Sequence, residues 1–275
     1  MTRWPQDYSG AWTLAAEVER QGIGLHSGAV STVRLCPCEQ PGFHLRFEGD
    51  AEAVRLSPDQ VRDSQLCTTL DLGGRRVATV EHLFAALAGC GISHGEIVVQ
   101  GGEIPLLDGS ALGWVEAIAE AGLRPATSER PPAPRLEQPL VRHRGRSVIT
   151  ATPADRFSLV GIIDFPQAAI GRQQLELELT PERFVEEIAP ARTFGFREQV
   201  EQLRAAGLIQ GGALDNALVC DGDQWLNPPL RFADEPVRHK LLDLIGDLAL
   251  VGFPQAQVLV YRGSHGLHTD LAAAL

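Results

Sequence analysis

Arg124-Pro-Ala-Thr-Ser-Glu-Arg-Pro-Pro-Ala-Pro-Arg135 stands close to the middle of a 275-residue chain. Its four prolines can neither donate to a strand ladder nor sit inside a helix, so the run reads as a linker. About 125 residues precede it and about 140 follow, each enough to close a hydrophobic core. The expected organisation is a first domain over residues 1–124, a Pro-rich linker over 125–135 and a second domain over 136–275.

The flanks of this run read alike. Before it, alternation predicts short strands at Thr13–Glu19, Thr32–Leu35 and His44–Phe47. A helix follows over Thr79–Ala88, with Thr79 as N-cap, Val80, Leu83, Phe84 and Leu87 at helical spacing, and Gly89 and Gly91 at its end. A strand at Glu96–Val99 and a helix at Ser110–Glu120 complete that half. After it come strands at Ser147–Ala151, Ser158–Ile163 and Gln174–Leu179, helices at Arg197–Ala206 and Glu235–Leu250, and a strand at Ala256–Tyr261. No residue-level repeat connects the halves, but the order of elements points to two α+β layers built alike.

Composition narrows the function. Hydrophobic residues make up 44% of the chain and charged residues 21%, which describes a folded protein rather than a disordered or fibrous one. The net charge of −11 gives no global attraction for nucleic acid. Met1–Gly10 lacks the apolar segment of a secretory signal, and the most apolar stretch, Ala78–Ile92, carries Glu81 and His82, so neither export nor a membrane span is expected. Five cysteines at irregular spacing fit free thiols in a reducing cytoplasm. Cys36-Pro-Cys38 has no second close pair with which to finish a zinc site. The glycines of Gly22–Gly28 match neither a phosphate-binding loop nor a dinucleotide turn, which disfavours ATP and NAD chemistry.

Three clusters carry candidate chemistry. His239, Asp243 and Asp247 follow one another at intervals of four, which places them on one stripe of a helix whose other positions, Leu241, Leu244, Ile245 and Leu248, are apolar. Burying that stripe unpaired would cost several kcal/mol, and a divalent cation held by imidazole and carboxylate would compensate it; a solvated polar face is the alternative. Glu81-His82 could set a carboxylate base beside a metal-binding imidazole, or be a core histidine with a surface glutamate. His265 and His268 lie in what reads as a Gly-rich turn. His265 could serve as a general acid oriented by Asp247, or be an ordinary loop histidine. Thr193 and Lys240 could serve an oxyanion or a phosphate. Glu103–Ser110 reads as structural, with Ser110 capping a helix.

Six stretches occur in the order and at the spacing of one family: Gly22-Ile-Gly-Leu-His-Ser-Gly28, Thr79-Val-Glu-His-Leu83, Glu103-Ile-Pro-Leu-Leu-Asp-Gly-Ser-Ala111, Ala191-Arg-Thr-Phe-Gly-Phe196, Gly211-Gly-Ala-Leu-Asp-Asn-Ala217 and Val237-Arg-His-Lys-Leu-Leu-Asp-Leu-Ile-Gly-Asp247. The chain thereby resembles, over nearly its whole length, the zinc-dependent UDP-3-O-acyl-N-acetylglucosamine deacetylases of lipid A biosynthesis. It departs from their pattern in the last motif, where Ser264-His265-Gly-Leu-His-Thr-Asp270 replaces Gly-His-Ala-Leu-Asn-Asn. His268 is therefore a rival to His265, although position favours His265.

The resemblance implies an α+β fold of two similar β-α-α-β sandwich domains with the active site between them, each bearing an insert. It implies Zn²⁺ held by His82, His239 and Asp243, Glu81 as general base, and His265 as acid with Asp247 supporting it. Thr193 would help to bind the tetrahedral oxyanion. Lys240, Phe194 and Arg262 would contact a UDP-linked acylated amino sugar. A cytoplasmic monomer is expected, touching a membrane surface only through its acylated substrate. A non-catalytic binder of metal or nucleotide sugar, or an amidase for another acetylated substrate, are the competing readings.

Overall fold

In a computed structural model that describes residues 3–62 and 66–275, the alternation around Thr32–Leu35 makes a half-buried strand. Ser31, Val33 and Leu35 turn inward, whereas Thr32 and Arg34 do not. Met1 and Thr2 of the N-terminal stretch lie outside the described residues.

The first half runs β1 (Trp12–Leu14), β2 (Val18–Ile23), β3 (Val30–Cys36), β4 (Gly42–Phe47), β5 (Val54–Arg55), β6 (Val61–Arg62), β7 (Thr69–Leu72), β8 (Arg75–Val77), α1 (Glu81–Gly89), β9 (His94–Gln100), α2 (Leu112–Ala121) and β10 (Leu123–Pro125). The second runs β11 (Leu140–Arg144), β12 (Ser147–Pro153), β13 (Ser158–Asp164), β14 (Arg172–Glu178), α3 (Pro181–Arg183), β15 (Phe194–Phe196), α4 (Arg197–Ala205), β16 (Leu218–Asp221), β17 (Gln224–Trp225), α5 (Glu235–Leu248), β18 (Ala256–Tyr261) and α6 (His265–Ala272). The result is a mixed α+β fold with two five-stranded sheets, ordered β2-β3-β9-β4-β5 and β11-β12-β18-β13-β14. Each contains one parallel pair, β4 with β9 and β13 with β18, and the other pairings are antiparallel. Each last strand is preceded by one helix and followed by another. The chain thus traces the same path twice without repeating its residues. A three-stranded sheet interrupts each path at the same point: β6-β7-β8 before α1, and β15-β16-β17 before α5.

The helices meet in the middle. All nine residues of α1 are buried, as are all residues of α5 except Arg238 and Lys240. One contiguous apolar cluster joins Leu83, Phe84 and Leu87 of α1 to Leu241, Leu244, Ile245 and Leu248 of α5. Each such side chain contributes roughly 1.5–3 kcal/mol by leaving water. The approach of α1 to α5 is so close that a Cβ on Gly246 would lie 2.0 Å from the Glu81 carbonyl oxygen. Glycine at this position is therefore a packing requirement.

Several sequence expectations need correction. Thr13–Glu19 is not one strand: Ala15 and Ala16 turn to donate to the carbonyls of Gly122 and Ala121, so β1 pairs with β10 and β2 with β3. Thr79 is not an N-cap. Its φ is +58°, its hydroxyl donates to Glu103, and Val80 precedes the first helical residue. The proline run does not begin as a free linker, because Pro125 is in register with Trp12 and Arg130 donates to the carbonyls of Gly10 and Gly91. His265 and His268 occupy a helix rather than a turn, since the Ser264 hydroxyl accepts from the Leu267 N–H and caps α6. Glu103 is structural as expected: its carboxylate accepts from the N–H groups of His26 and Ser27 and from the hydroxyls of Ser27 and Thr79. All five cysteines are free thiols.

Candidate active site

Helix periodicity and the α1–α5 contact together bring the sequence candidates to one place. His82 comes from the first turn of α1, and His239 and Asp243 from successive turns of α5. One ligand atom of each lies within 4.8 Å of the others, and all three residues are buried. His239 Nε2 is 3.3 Å and His82 Nε2 3.6 Å from Asp243 Oδ1. The two rings stand nearly perpendicular, at 89°, with centroids 5.0 Å apart.

The donor chemistry fits a metal ion. The Ala191 carbonyl lies 3.0 Å from His239 Nδ1, which therefore carries the proton and leaves the Nε2 lone pair facing Asp243. Burial, with the Asp243 carboxylate opposing it, holds the His239 imidazole neutral by lowering its pKa to about 3. Asp243 remains ionised. Burial acts against its charge, but the Lys240 ammonium, with the His265 imidazolium, outweighs it and pushes its pKa well below the usual carboxylate range. Two imidazoles and one carboxylate would leave a coordination position open on a bound ion, in the manner of catalytic rather than structural sites.

A second group adjoins the first. Glu81 Oε2 accepts from the Thr68 N–H at 3.0 Å, while Glu81 Oε1 lies 3.9 Å from His265 Nε2. His265 Nε2 is also 4.0 Å from Asp243 Oδ2. On its other side His265 Nδ1 donates to Asp247 Oδ2 at 3.0 Å, and His268 Nδ1 shares that oxygen at 2.9 Å. The remaining oxygen, Asp247 Oδ1, accepts from the Thr68 hydroxyl. Burial opposes charge on His265, yet Asp247, then Glu81 and Asp243, raise its pKa to about 9. Burial lowers that of His268 despite the same Asp247 contact. Geometry separates the rivals in the same sense. His265 turns Nε2 toward Glu81 and Asp243, whereas His268 Nε2 is the atom that a Cβ on Gly263 would meet at 2.5 Å. Asp247, His265 and His268 form a further group of ligand-type atoms within 4.8 Å of one another.

Of the remaining candidates, Lys240 and Phe194 adjoin this centre. Lys240 Nζ donates to Asp243 Oδ2 at 2.8 Å and stands 5.6 Å above the Phe194 ring, which itself lies 6.3 Å from the His239 ring. Arg262 donates to Asp164 at 2.8 Å. Lys240, Arg262, Asp164 and Phe165 line a cavity of about 260 Å³ together with Ile163 and Gly263. Thr193 is fixed through its backbone, donating to the Gly109 carbonyl at 2.7 Å and accepting from Leu218 at 2.8 Å. Sequence reasoning missed Thr68, the Ala191 carbonyl and the role of Gly246. Only Gly246 left a signal, as a glycine inside a helical pattern.

A buried pair of imidazoles with one carboxylate, flanked by a second carboxylate and a histidine–aspartate couple, defines the class of metal-assisted hydrolases. Residues 11–275 match the family model described as LpxC: UDP-3-O-acyl N-acetylglycosamine deacetylase. The chain is 49% identical over 267 residues to the UDP-3-O-acyl-N-acetylglucosamine deacetylase of Thermosynechococcus vestitus, a match covering 96% of this chain and 93% of that one. It is 46% identical over 265 residues to the enzyme of that name from Synechocystis sp., covering 94% and 96%. Against the probable UDP-3-O-acyl-N-acetylglucosamine deacetylase 1, mitochondrial, of Arabidopsis thaliana, it is 41% identical over 284 residues, covering 96% and 87%. The chain belongs to the UDP-3-O-acyl-N-acetylglucosamine deacetylase family. It is a hydrolase, a deacetylase of lipid A biosynthesis.

Proposed function

We propose that the chain removes the acetyl group of UDP-3-O-acyl-N-acetylglucosamine as acetate, with zinc held by His82, His239 and Asp243. The observation that carries this reading is the convergence of those three donors from α1 and α5 beside Glu81 and His265. Zinc, when bound there, supplies the Lewis acidity that activates water and polarises the acetamide carbonyl. Glu81 is the general base. Its Oε2 is held by the Thr68 N–H, so Oε1 is the oxygen left to take a proton from the attacking water. His265 is the general acid: with Nδ1 tied to Asp247, its imidazolium presents the Nε2 proton toward the centre, where the departing amine needs one. Asp247 fixes that ring and balances its charge. Thr193 offers its hydroxyl to the tetrahedral oxyanion. Lys240 and Arg262 take the UDP-sugar along the cavity they border, with Phe194 beneath Lys240, and the carboxylates that now pair with Lys240 and Arg262 hold those cations in place.

The proposed organisation is two domains, residues 1–124 and 136–275, joined by residues 125–135, with the site where α1 and α5 meet. The doubled path of the two sheets supports it. No helix among the described residues is long and apolar enough to cross a membrane. We propose a cytoplasmic monomer that meets a membrane surface through its acylated substrate.

Acetate release by the purified protein, measured beside its metal content, tests the reading. Glu81→Ala is expected to keep the metal and lose most activity, whereas His239→Ala loses the metal. Turnover unaffected by either change, or loss of the metal from Glu81→Ala, overturns the assigned roles.

A further inference from the structure

Thr68 is buried at 2% exposure between the two working halves of the site, and every polar group it owns is engaged. Its carbonyl accepts from the Val80 N–H at 3.3 Å, which fixes it to the start of α1. Its N–H donates to Glu81 Oε2 at 3.0 Å, and its hydroxyl donates to Asp247 Oδ1. Glu81 and Asp247 lie on different helices, from opposite halves of the chain, and among the described residues they make no hydrogen bond to each other. Thr68 bonds both. A threonine serving only to fill the fold would have no need to meet two buried carboxylates with two different donors.

We propose that Thr68 is a positioning residue for the deacetylation, locking the Glu81 carboxylate and the Asp247–His265 couple into one frame; this rests on the roles proposed above for Glu81 and His265. The N–H fixes which Glu81 oxygen is free. The hydroxyl satisfies Asp247 Oδ1, which leaves Oδ2 to hold His265, and His268 then shares Oδ2 from the next turn of α6. Without the hydroxyl, Asp247 keeps a buried oxygen with no donor, and its carboxylate is free to rotate away from His265. The effect falls on proton transfer rather than on substrate or metal binding, because among the described residues Thr68 makes no hydrogen bond to His82, His239 or Asp243.

Thr68→Val keeps the volume and the N–H and deletes the hydroxyl. The expected result is a roughly 10- to 100-fold fall in kcat for acetate release, on the scale of other lost supporting contacts. KM and the metal bound per chain stay near wild type. Thr68→Ser restores the donor and recovers most of kcat. In an Asp247→Ala background, Thr68→Val costs little further, since the hydroxyl then has no carboxylate to hold. Wild-type kcat in Thr68→Val overturns the proposal, as does a loss that Thr68→Ser fails to repair or that persists in full without Asp247. If Thr68→Val does not fold, proton NMR of the wild-type enzyme decides. A Thr68 hydroxyl proton sheltered from exchange and close to Asp247 upholds the contact, and a freely exchanging one refutes it. Glu81→Ala separates the two possible failures. Full activity there overturns the base assignment itself, whereas an inactive Glu81→Ala beside a fully active Thr68→Val overturns only the positioning role.

Discussion

Gly246→Ala adds one methyl group at the tightest approach of α5 to α1. The new Cβ would lie 2.0 Å from the Glu81 carbonyl oxygen, 2.7 Å from its carbon and 3.0 Å from its Cα. All three atoms are backbone, so no rotamer change relieves the clash, and the helices must part by about 1 Å to restore van der Waals contact. That displacement opens the site itself, because His82 follows Glu81 on α1 while His239 and Asp243 share α5 with Gly246. Metal–ligand distances tolerate only about ±0.2 Å. The expected stability loss is about 1–3 kcal/mol, the usual range for overpacking. For a chain of this size that lowers Tm by roughly 2–4 °C per kcal/mol. Activity should fall by roughly 100-fold, as for other misplacements of about 1 Å, with weakened metal retention during dialysis against a chelator. Gly102→Ala is the control, since a Cβ there meets only the Arg76 carbonyl oxygen, at 3.9 Å. Melting curves, elemental analysis and acetate release are measured on both variants. A Gly246→Ala protein with wild-type metal content and kcat would show that the α1–α5 distance does not set the ligand geometry.

Other outcomes follow from the same contacts. Glu235 is fully buried and accepts from the N–H groups of Arg192 and Arg231 and from the Arg192 guanidinium, so Glu235→Ala should cost about 3–5 kcal/mol by stranding that cation, read as a shift of the denaturation midpoint. Because a metal that binds only the folded chain stabilises it by mass action, chelation should lower Tm, and re-added Zn²⁺ should raise it in a dose-dependent way; a Tm indifferent to metal counts against the site. Ser264→Ala removes the N-cap of the helix that begins with His265 and should cost about 1 kcal/mol, whereas Ser264→Gly should cost only a few tenths. The order of the two midpoints checks the cap.

How much of this was legible depended on the range of the interaction. The α5 stripe of His239, Asp243 and Asp247 was readable because helical periodicity is local and the surrounding leucines announce burial. Glu81 and His82 were readable for the same reason, being embedded in a buried helix. Local reading failed where tertiary contacts overrode propensity. Thr79 has the side chain of a cap, but its hydroxyl is drawn to Glu103, 24 residues away. The Gly263–Ser264 segment looks like a turn, yet Ser264 starts a helix there. Thr68 had no local signature, since its hydroxyl partner is 179 residues distant. The proline run was legible as a break in regular structure, but the bonds from Arg130 to the Gly10 and Gly91 carbonyls were not.

The doubled path of the chain explains why the site lies where it does. In each half the helix before the last strand contributes to the one apolar core, and within it α1 and α5 pack against each other. α1 and α5 are equivalent in position, so packing them together closes one core between two sheets and brings their polar residues to the same contact. An apolar seam would have been the more stable way to fill that contact, because buried carboxylates carry a desolvation penalty of several kcal/mol each unless compensated. Six carboxylate and imidazole pairs stand there instead: Glu81 with His265, Asp247 with His265 and His268, and Asp243 with His82, His239 and His265. Under the proposed function, their retention at this contact gives up stability for a site that would hold a cation and move protons. Replacing the whole polar set by apolar residues of similar volume should therefore raise the melting temperature above that of the metal-free protein while abolishing acetate release. A lower one would mean that the cluster is itself part of what holds the halves together.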